Sequence, residues 1–501
     1  MSPPPTDAGA FLYDQEALWR RAQTDTDLMA CRQLAGDLQA DLYLVGGTVR
    51  DFLLRGRWSA DRDVVALPAN GAETSTDSPL AQALARRFAD QTGGSLVSLD
   101  PGHGIYRVVL PDRERYVDIA DAMNGCIEAD LRRRDLTVNA LGLDLFTGSL
   151  LDPTGGLADC QRRTIRMVSR ENLLDDPLRL LRVFRIAAAI RAEAIDPGTF
   201  QVVQAHKGVV LNSAPERIQL ELLKLLDATP CFAALQACAD SGLLEVLLPE
   251  MTPMRAIPAN GHHHLGLFEH TLELVRQCER LLTEIPEETR AWVLREGPGG
   301  VRRLALIKLA CLFHDLGKPD TQGEKKTADG DIRLTFYGHE QVSETLTHDI
   351  CRRLKTGNDV RDFVGALTRW HLYPCQFGVN SPRKSLLRFF RRMGELTPDL
   401  LLLALADRHS TCGPDVSAEL LKTAHENHLF LMRRFFEEQP VMRKPRVLNG
   451  HQVMQHLGIL PGPELKKILS ALEEAQQLGD VVTGEDALRW IEQFRSTGDH
   501  T

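Results

Sequence analysis

The sequence predicts an α+β protein, with a mixed-sheet N-terminal part followed by an all-helical remainder. Three observations carry this. Short runs of β-favouring residues (Leu42–Val45, Val64–Leu67, 105–110 and 115–120) all fall before residue 152, separated by turn-forming glycines and polar residues. From Asn172 onward apolar residues recur at helical spacing in one long stretch after another. A chain of 501 residues has room for two to four domains with real cores. We expect a helical lead-in over 1–40, a sheet-bearing head over 41–160, a helical neck over 161–248, a further helical domain over 249–430 and a helical tail over 431–501.

Residues 42–65, LYLVGGTVRDFLLRGRWSADRDVV, are the stretch that the rest serves. A short apolar strand runs into Gly46-Gly47, and TVRDFLL reads as a helix stopped by Gly56. A strand feeding a glycine pair at a helix start presents bare backbone N–H groups and the positive end of a helix dipole, which suits polyphosphate. Asp61 and Asp63 then open the next strand, and side chains two apart on a strand share a face. Such paired hard oxygen ligands suit Mg²⁺ in phosphoryl transfer. A D-x-D or a Gly-Gly alone is weak, but their order along two strands and a helix is specific.

That segment resembles the catalytic signature of the nucleotidyltransferases that include tRNA CCA-adding enzymes and bacterial poly(A) polymerases. The resemblance implies a polymerase-β-like head in which Asp61 and Asp63 hold Mg²⁺ and Gly46, Gly47 and Arg50 hold the triphosphate. Farther on, IYRVVL and RYVDIA flank a polar turn as a hairpin, and the family places a third acid near Asp118. Asp118 is equally compatible with an ordinary outward strand residue, because strand register is not readable from sequence. The family's threonine-rich continuation is replaced here by Ala120-Asp121-Ala122-Met123. DLRRRDLTVNALGLDL (130–145) matches the family's second motif, whose arginine and asparagine carry over to Arg134 and Asn139 as nucleotide-binding groups. A guanidinium fork suits phosphate oxygens and an amide suits a ribose hydroxyl.

Between Gln161 and Arg191 stand eight arginines against three acids. The whole chain carries a net charge of −9, which argues against a protein that coats itself in nucleic acid, so RNA contact must come from local patches of this kind. Within the patch, Asp175-Asp176-Pro177-Leu178-Arg179 reads structurally as an Asp N-cap with Pro at the first helical position. By resemblance it is the amino-acid template, with Asp176 and Arg179 reading the base. The chemistry agrees. A carboxylate accepts from the exocyclic amine of cytosine or adenine and a guanidinium donates to the ring nitrogen, whereas guanine and uracil leave both unsatisfied. SAPERIQLELLKLL (213–226) resembles the neck helix, where Glu216 and Arg217 read as structural.

Past a proline-rich boundary at 249–258 a second constellation appears: His270, adjacent His314-Asp315, His339, His371 and Asp407, each on or beside an apolar helical stretch. A single histidine there is usually a core residue, but His-Asp-Leu-Gly-Lys with these partners resembles the HD phosphohydrolase superfamily. The resemblance implies core metal ligands at His270, His314, Asp315 and Asp407, with His339 and His371 as the extra histidines of two-metal members. Such a set suits a divalent transition metal or Mg²⁺. His262, His263 and His264 fit no ligand position. Residues 448–481 resemble the terminal module of HD-bearing tRNA nucleotidyltransferases, as an RNA-binding tail.

The expected function is template-independent addition of CMP and AMP, from CTP and ATP, to tRNA or other RNA 3′ ends, with an associated HD phosphohydrolase. CC-only, A-only or poly(A) addition stays open, as does whether the HD domain is active. A rival from another class is an HD phosphohydrolase with an inactive nucleotidyltransferase-like module. Ten scattered cysteines without a C-x-x-C pair read as reduced thiols, the N-terminus shows no signal-peptide pattern, and no apolar run approaches membrane-spanning length. These point to a cytoplasmic protein.

Overall fold

The computed structural model describes residues 14–69, 79–100, 102, 104–259, 264–326, 332–413 and 416–497. The first part of the lead-in, and His262 and His263, lie outside the described residues. The chain divides into two units, residues 1–247 and 248–501.

The first unit is built on a seven-stranded sheet. Its strands are β1 (Ala40–Val45), β2 (Asp61–Pro68), β3 (Ser95–Asp100), β4 (Ile105–Val109), β5 (Tyr116–Asp121), β6 (Gly142–Asp144) and β7 (Leu150–Leu151). Their order across the sheet is β3-β4-β5-β2-β1-β6-β7. Every neighbouring pair is antiparallel except β2–β5. Helices Thr26–Asp37 and Leu80–Thr92 pack against the sheet. Alternation decides the two faces. Leu44, Val64 and Ile119 stand in one row, fully or almost fully buried. Val45, Asp63 and Asp118 form the adjacent row, whose side chains leave the opposite face. That second face is partly covered by Ile127, Leu131 and Ala140, which pack on Val45 and Val65.

Helix Gly47–Arg55 starts where β1 ends and is stopped by Gly56 in the left-handed conformation. Beyond the sheet the unit is mainly helical: Arg170–Asp175, Arg179–Ile190, Pro197–His206, Pro215–Asp227 and Phe232–Asp240 are its principal elements. One element differs from the sequence expectation. The helix after Asp176-Pro177 begins at Arg179, with Leu178 at its N-cap, rather than at Pro177. Asp176 is held extended between two helices (φ −118°, ψ 108°) by an ion pair to Arg217. Its carboxylate still accepts from Leu178 N (3.2 Å), so it caps a turn instead of the helix.

The second unit is helical apart from the hairpin Gly323–Lys326 and Ile332–Thr335 among the described residues. Helices Leu267–Leu281, Arg303–Phe313, His339–Arg353, Asn358–Trp370 and Thr397–Ser410 pack around one another. The long helix Ala418–Met442 follows. The last three helices, Gly450–Leu457, Pro463–Leu478 and Gly484–Thr497, enclose their own small core of Val453, Ile468, Leu472, Val481 and Ile491. No helix among the described residues is long and apolar enough to cross a membrane. None of the ten cysteines is in a disulfide.

Candidate active site and metal centre

A polar cleft of about 440 Å³ opens where β1 meets the glycine-started helix. Gly46 turns there with φ +76°, a conformation that side chains rarely adopt. A Cβ at Gly46 would lie 3.0 Å from Arg134 Nη1 and 3.4 Å from the Asp63 carboxylate, so glycine lets backbone, guanidinium and acid converge. Thr48 donates its hydroxyl to the Asp61 carbonyl (2.7 Å), which ties the helix start to the strand bearing the two acids. Asp61 and Asp63 both line the cleft. Burial, with the like charges of Asp118 and Asp61, pushes Asp63 above the ordinary carboxylate range against the pull of Arg134. A divalent cation would relieve that repulsion, and the ligand atoms are hard oxygens, so the residues fit Mg²⁺.

Asp118 is directly in register with Asp63 across the parallel β2–β5 pair, on the same face. Both of its oxygens are occupied by Arg107, through Nε and Nη2 at 2.7 Å each. Arg107 in turn lies 3.8 Å over the Tyr116 ring. The third acid is therefore beside the pair but engaged by a bidentate arginine.

The other wall is a polar relay. Arg50 is buried and donates from Nη1 to Asn139 Oδ1 and from Nε to Asp51 (2.7 Å). Asn139 donates to Asp135 Oδ1 (3.0 Å), and Asp135 forms an ion pair with Arg182 (2.9 Å). Burial raises Asp135, yet Arg182, Asn139, the Leu136 N–H and Arg179 together hold it below its usual range. Arg179, Arg182 and Arg185 present one helix face to the cleft. Arg179 donates to the carbonyl of Asn172. Asp176 is not among the cleft-lining residues, because its carboxylate accepts from Arg217 (2.7 Å).

In the second unit the histidines and acids singled out by sequence come together. His270 Nε2 lies 3.2 Å from Asp407 Oδ1, and His314 Nε2 3.1 Å from Asp315 Oδ2. His339 Nε2 lies 3.2 Å from Asp315 Oδ1 and 3.4 Å from His371 Nε2. Two three-residue donor groups result, His270–His314–Asp315 and Asp315–His339–His371, sharing one carboxylate. The tautomers follow from the other ring nitrogens. Nδ1 of His314, His339 and His371 donates to the carbonyls of Cys311, Phe336 and Thr368 at 2.7–2.8 Å, so their Nε2 lone pairs face inward. Burial, with His314 nearby, drives His371 down to about 3, leaving a neutral ligand. Burial opposes it, but His314 and Lys318 hold Asp315 well below the carboxylate range. This mixed imidazole–carboxylate set fits one or two divalent metal ions.

Comparison with known proteins follows the same division. Residues 42–166 match the Poly A polymerase head domain, 194–255 the probable RNA and SrmB-binding site of polymerase A, and 267–412 the HD domain. An A-adding tRNA nucleotidyltransferase of Deinococcus radiodurans is 35% identical over 90% of this chain and 95% of its own length. A CC-adding tRNA nucleotidyltransferase of Thermus thermophilus is 35% identical over 91% and 94%. The chain belongs to the tRNA nucleotidyltransferase family. In fold it resembles the Bacillus stearothermophilus CCA-adding enzyme in complex with CTP, with a TM-score of 0.60 and 21% identity over 95% of this chain and 99% of that one. The Thermotoga maritima CCA-adding enzyme complexed with tRNA gives 0.60 and 19% over 95% and 98%.

As a tRNA nucleotidyltransferase family member, the chain brings Gly46, Gly47, Arg50, Asp61, Asp63, Arg134, Asn139 and Arg179 to one cleft. Asp118 stands in the next strand position, and Asp176 faces Arg217. His270, His314, Asp315, His339, His371 and Asp407 share the second centre. Sequence reasoning did not single out Thr48, Ser59, Asp135, Arg182 or Arg185 as cleft residues. For the arginines a signal existed: positions 179, 182 and 185 repeat at helical spacing on one face. For Thr48 and Ser59 there was none.

Proposed function

We propose that this chain transfers CMP and AMP from CTP and ATP to tRNA 3′ ends, with Mg²⁺ held by Asp61 and Asp63. The observation that supports it best is the cleft itself, where two same-face carboxylates, a positive-φ glycine at a helix start and a bank of arginines meet. The RNA 3′-oxygen attacks the α-phosphorus, a P–O bond forms, the bond to pyrophosphate breaks, and the hydroxyl proton is lost to solvent. When bound, Mg²⁺ would lower the cost of the charge that develops on the attacking and leaving oxygens. The Gly47 N–H at the helix start and the Arg134 guanidinium receive phosphate oxygens, while the Gly46 N–H donates to the Leu141 carbonyl (3.2 Å) and holds the turn. Arg50 holds Asn139 in place more than it reaches out, since two of its nitrogens are already used. Arg179, whose Nη1 donates to the carbonyls of Asn172 and Arg133, lines the cleft and donates to the ring nitrogen of cytosine or adenine. Asp176 accepts from the exocyclic amine once Arg217 releases it.

At the second centre we place a phosphoester hydrolysis. Water oxygen joins phosphorus, the ester P–O bond breaks, and the water proton goes to the leaving alkoxide. His270, His314, Asp315 and Asp407, with His339 and His371, would hold one or two divalent metals that activate the water. The site of action is the cytoplasm, where uncharged tRNA and nucleoside triphosphates are available.

The test uses tRNAs ending before CCA, after C and after CC, each supplied with one nucleoside triphosphate at a time. Product length distinguishes full CCA addition from CC-only, A-only and poly(A) addition. No extension of any of them by wild-type protein in Mg²⁺ would overturn the reading.

A further inference from the structure

The second centre opens into a cavity of about 460 Å³ that is polar at one end and apolar at the other. Asp315, His339, His371 and Asp407 form the polar end, with the cationic Lys318 and Arg408 beside them. Leu420, Leu421 and Ala424 of the helix Ala418–Met442 form much of the apolar wall, together with Phe377. That helix lies beyond residues 267–412, the part that matches the HD domain.

Set in the wall is His428, only 2% exposed. Its Nδ1 donates to the Ala424 carbonyl (2.7 Å), so in the neutral ring Nε2 is an acceptor. Nε2 has no hydrogen-bond partner among the described residues. Burial, and the nearby charge of Arg408, hold this imidazole down to about 4 against the Ala424 hydrogen bond, which keeps it neutral. A buried acceptor left unpaired is unfavourable and marks a place where a ligand can donate. The next residue back, Asn427, also lines the cavity. Its Oδ1 accepts from Val379 N (3.1 Å), which fixes the amide orientation and leaves Nδ2 as a donor.

We infer that this cavity holds the nucleoside of an adenosine or cytidine phosphoester, the exocyclic amine donating to His428 Nε2 and Asn427 Nδ2 donating to the ring nitrogen. The volume falls within the usual range for small-molecule sites. A sugar phosphate would leave the apolar wall wet. A lipid ester would cover the wall but still leave His428 unpaired. Uracil and guanine present a carbonyl where His428 needs a donor. The inference rests on reading the second centre as a phosphohydrolase, because that reading supplies the phosphoester.

The experiment compares adenosine, purine riboside (which lacks only the amine) and inosine (which reverses the edge). Binding to the metal-free full-length protein is measured by calorimetry. Adenosine is expected to bind about tenfold more tightly than the other two. His428→Phe should erase that preference, and His428→Gln, which keeps an acceptor and checks that the fold survives, should restore part of it. Equal binding of the three nucleosides to wild type, or an unchanged preference in His428→Phe, overturns the inference. With Mn²⁺ added, His428→Phe should lower kcat/KM for adenosine 2′,3′-cyclic phosphate about tenfold relative to that for bis(4-nitrophenyl) phosphate, and an unchanged ratio of the two overturns the inference. A wild type that prefers adenosine but hydrolyses neither ester removes the phosphohydrolase reading and leaves the nucleoside pocket standing.

Discussion

Asp61 and Asp63 can share a cation only if β2 stays flat and in register, and the residue between them shows how that is secured. Arg62 leaves the opposite face, is 6% exposed, and meets Asp25, which is 4% exposed. Asp25 Oδ2 accepts from Arg62 Nε (3.0 Å), Arg62 Nη2 (2.6 Å) and Trp58 Nε1 (2.7 Å). Its Oδ1 caps helix Thr26–Asp37 by accepting from Asp27 N and Leu28 N, both at 3.1 Å. Replacing Asp25 by Ala leaves a buried guanidinium without its counter-charge, a loss of about 3–5 kcal/mol. Asp25→Asn keeps the cap, so the two variants should differ by about 1 kcal/mol. Amide hydrogen exchange resolves the effect locally: in Asp25→Ala, β2 peptides should exchange roughly two to three and a half powers of ten faster. Nucleotide addition should fall in kcat more than in KM, since the acids lose their alignment while the triphosphate cradle stays. Although burial works the other way, Trp58 and Arg62 hold the Asp25 pKa below its unfolded value, which is about 3.9. Its contribution is therefore fully present above that value and is lost as pH falls through the lower, folded one. Asp25→Ala should blunt acid unfolding of β2 correspondingly. Wild-type exchange rates in β2 of Asp25→Ala would refute this account of how the acids are aligned.

Further outcomes follow from the same geometry. Asp61→Asn or Asp63→Asn should reduce tRNA extension by about a thousandfold or more while CTP still binds, measured by single-turnover extension and filter binding; chelation should do the same reversibly, with Mg²⁺ restoring activity. Arg107→Gln frees both Asp118 oxygens, so the Mg²⁺ concentration for half-maximal extension should fall; an unchanged requirement would place Asp118 outside the metal site. Arg179→Ala should cost about tenfold or more in the preference for CTP and ATP over GTP and UTP, read from competing incorporation, and Arg217→Ala should leave Asp176 freer and change KM for nucleotide more than kcat. His314→Ala should abolish Mn²⁺-dependent phosphoester hydrolysis and leave tRNA extension within twofold of wild type; a parallel loss of extension would show that the two activities are not separable in this way.

What the sequence made legible was local. Gly46-Gly47 and the D-x-D at 61–63 are close in the chain, so period-two alternation and helix-start chemistry were enough to place them together. The clustering of the second centre's histidines and acids was legible for a different reason: a histidine pair with an adjacent acid on apolar helices has few uses that a core tolerates. Asp118 was undecided because register is a long-range property; β5 had to be laid parallel to β2 before Asp63 and Asp118 could be called neighbours. The grip of Arg107 on it depends on a second register, across β4–β5. Asp176 reads in sequence both as a helix cap and as a base-reading acid; in the fold it caps only a turn and its other oxygen is held by Arg217, 41 residues on, a contact that no local pattern signals.

The same distinction explains why the second motif is spaced as it is. Asp135 and Asn139 sit four apart across a single 3₁₀ turn at Thr137–Asn139, which brings carboxylate and amide into hydrogen-bond contact. Arg50 enters from the glycine-started helix and Arg182 from the basic helix, so the pair joins three elements with no shared local sequence. Each member satisfies the next, and such buried relays are rigid only when complete. A cleft that must choose a base without a nucleic-acid template needs walls that do not yield. Arg50→Lys keeps the charge but cannot span both Asp51 and Asn139, so it should loosen the relay and lower fidelity before it lowers binding. Measured misincorporation of UMP is the readout: if it stays at the wild-type level in Arg50→Lys, the relay orders the fold but has no part in nucleotide choice.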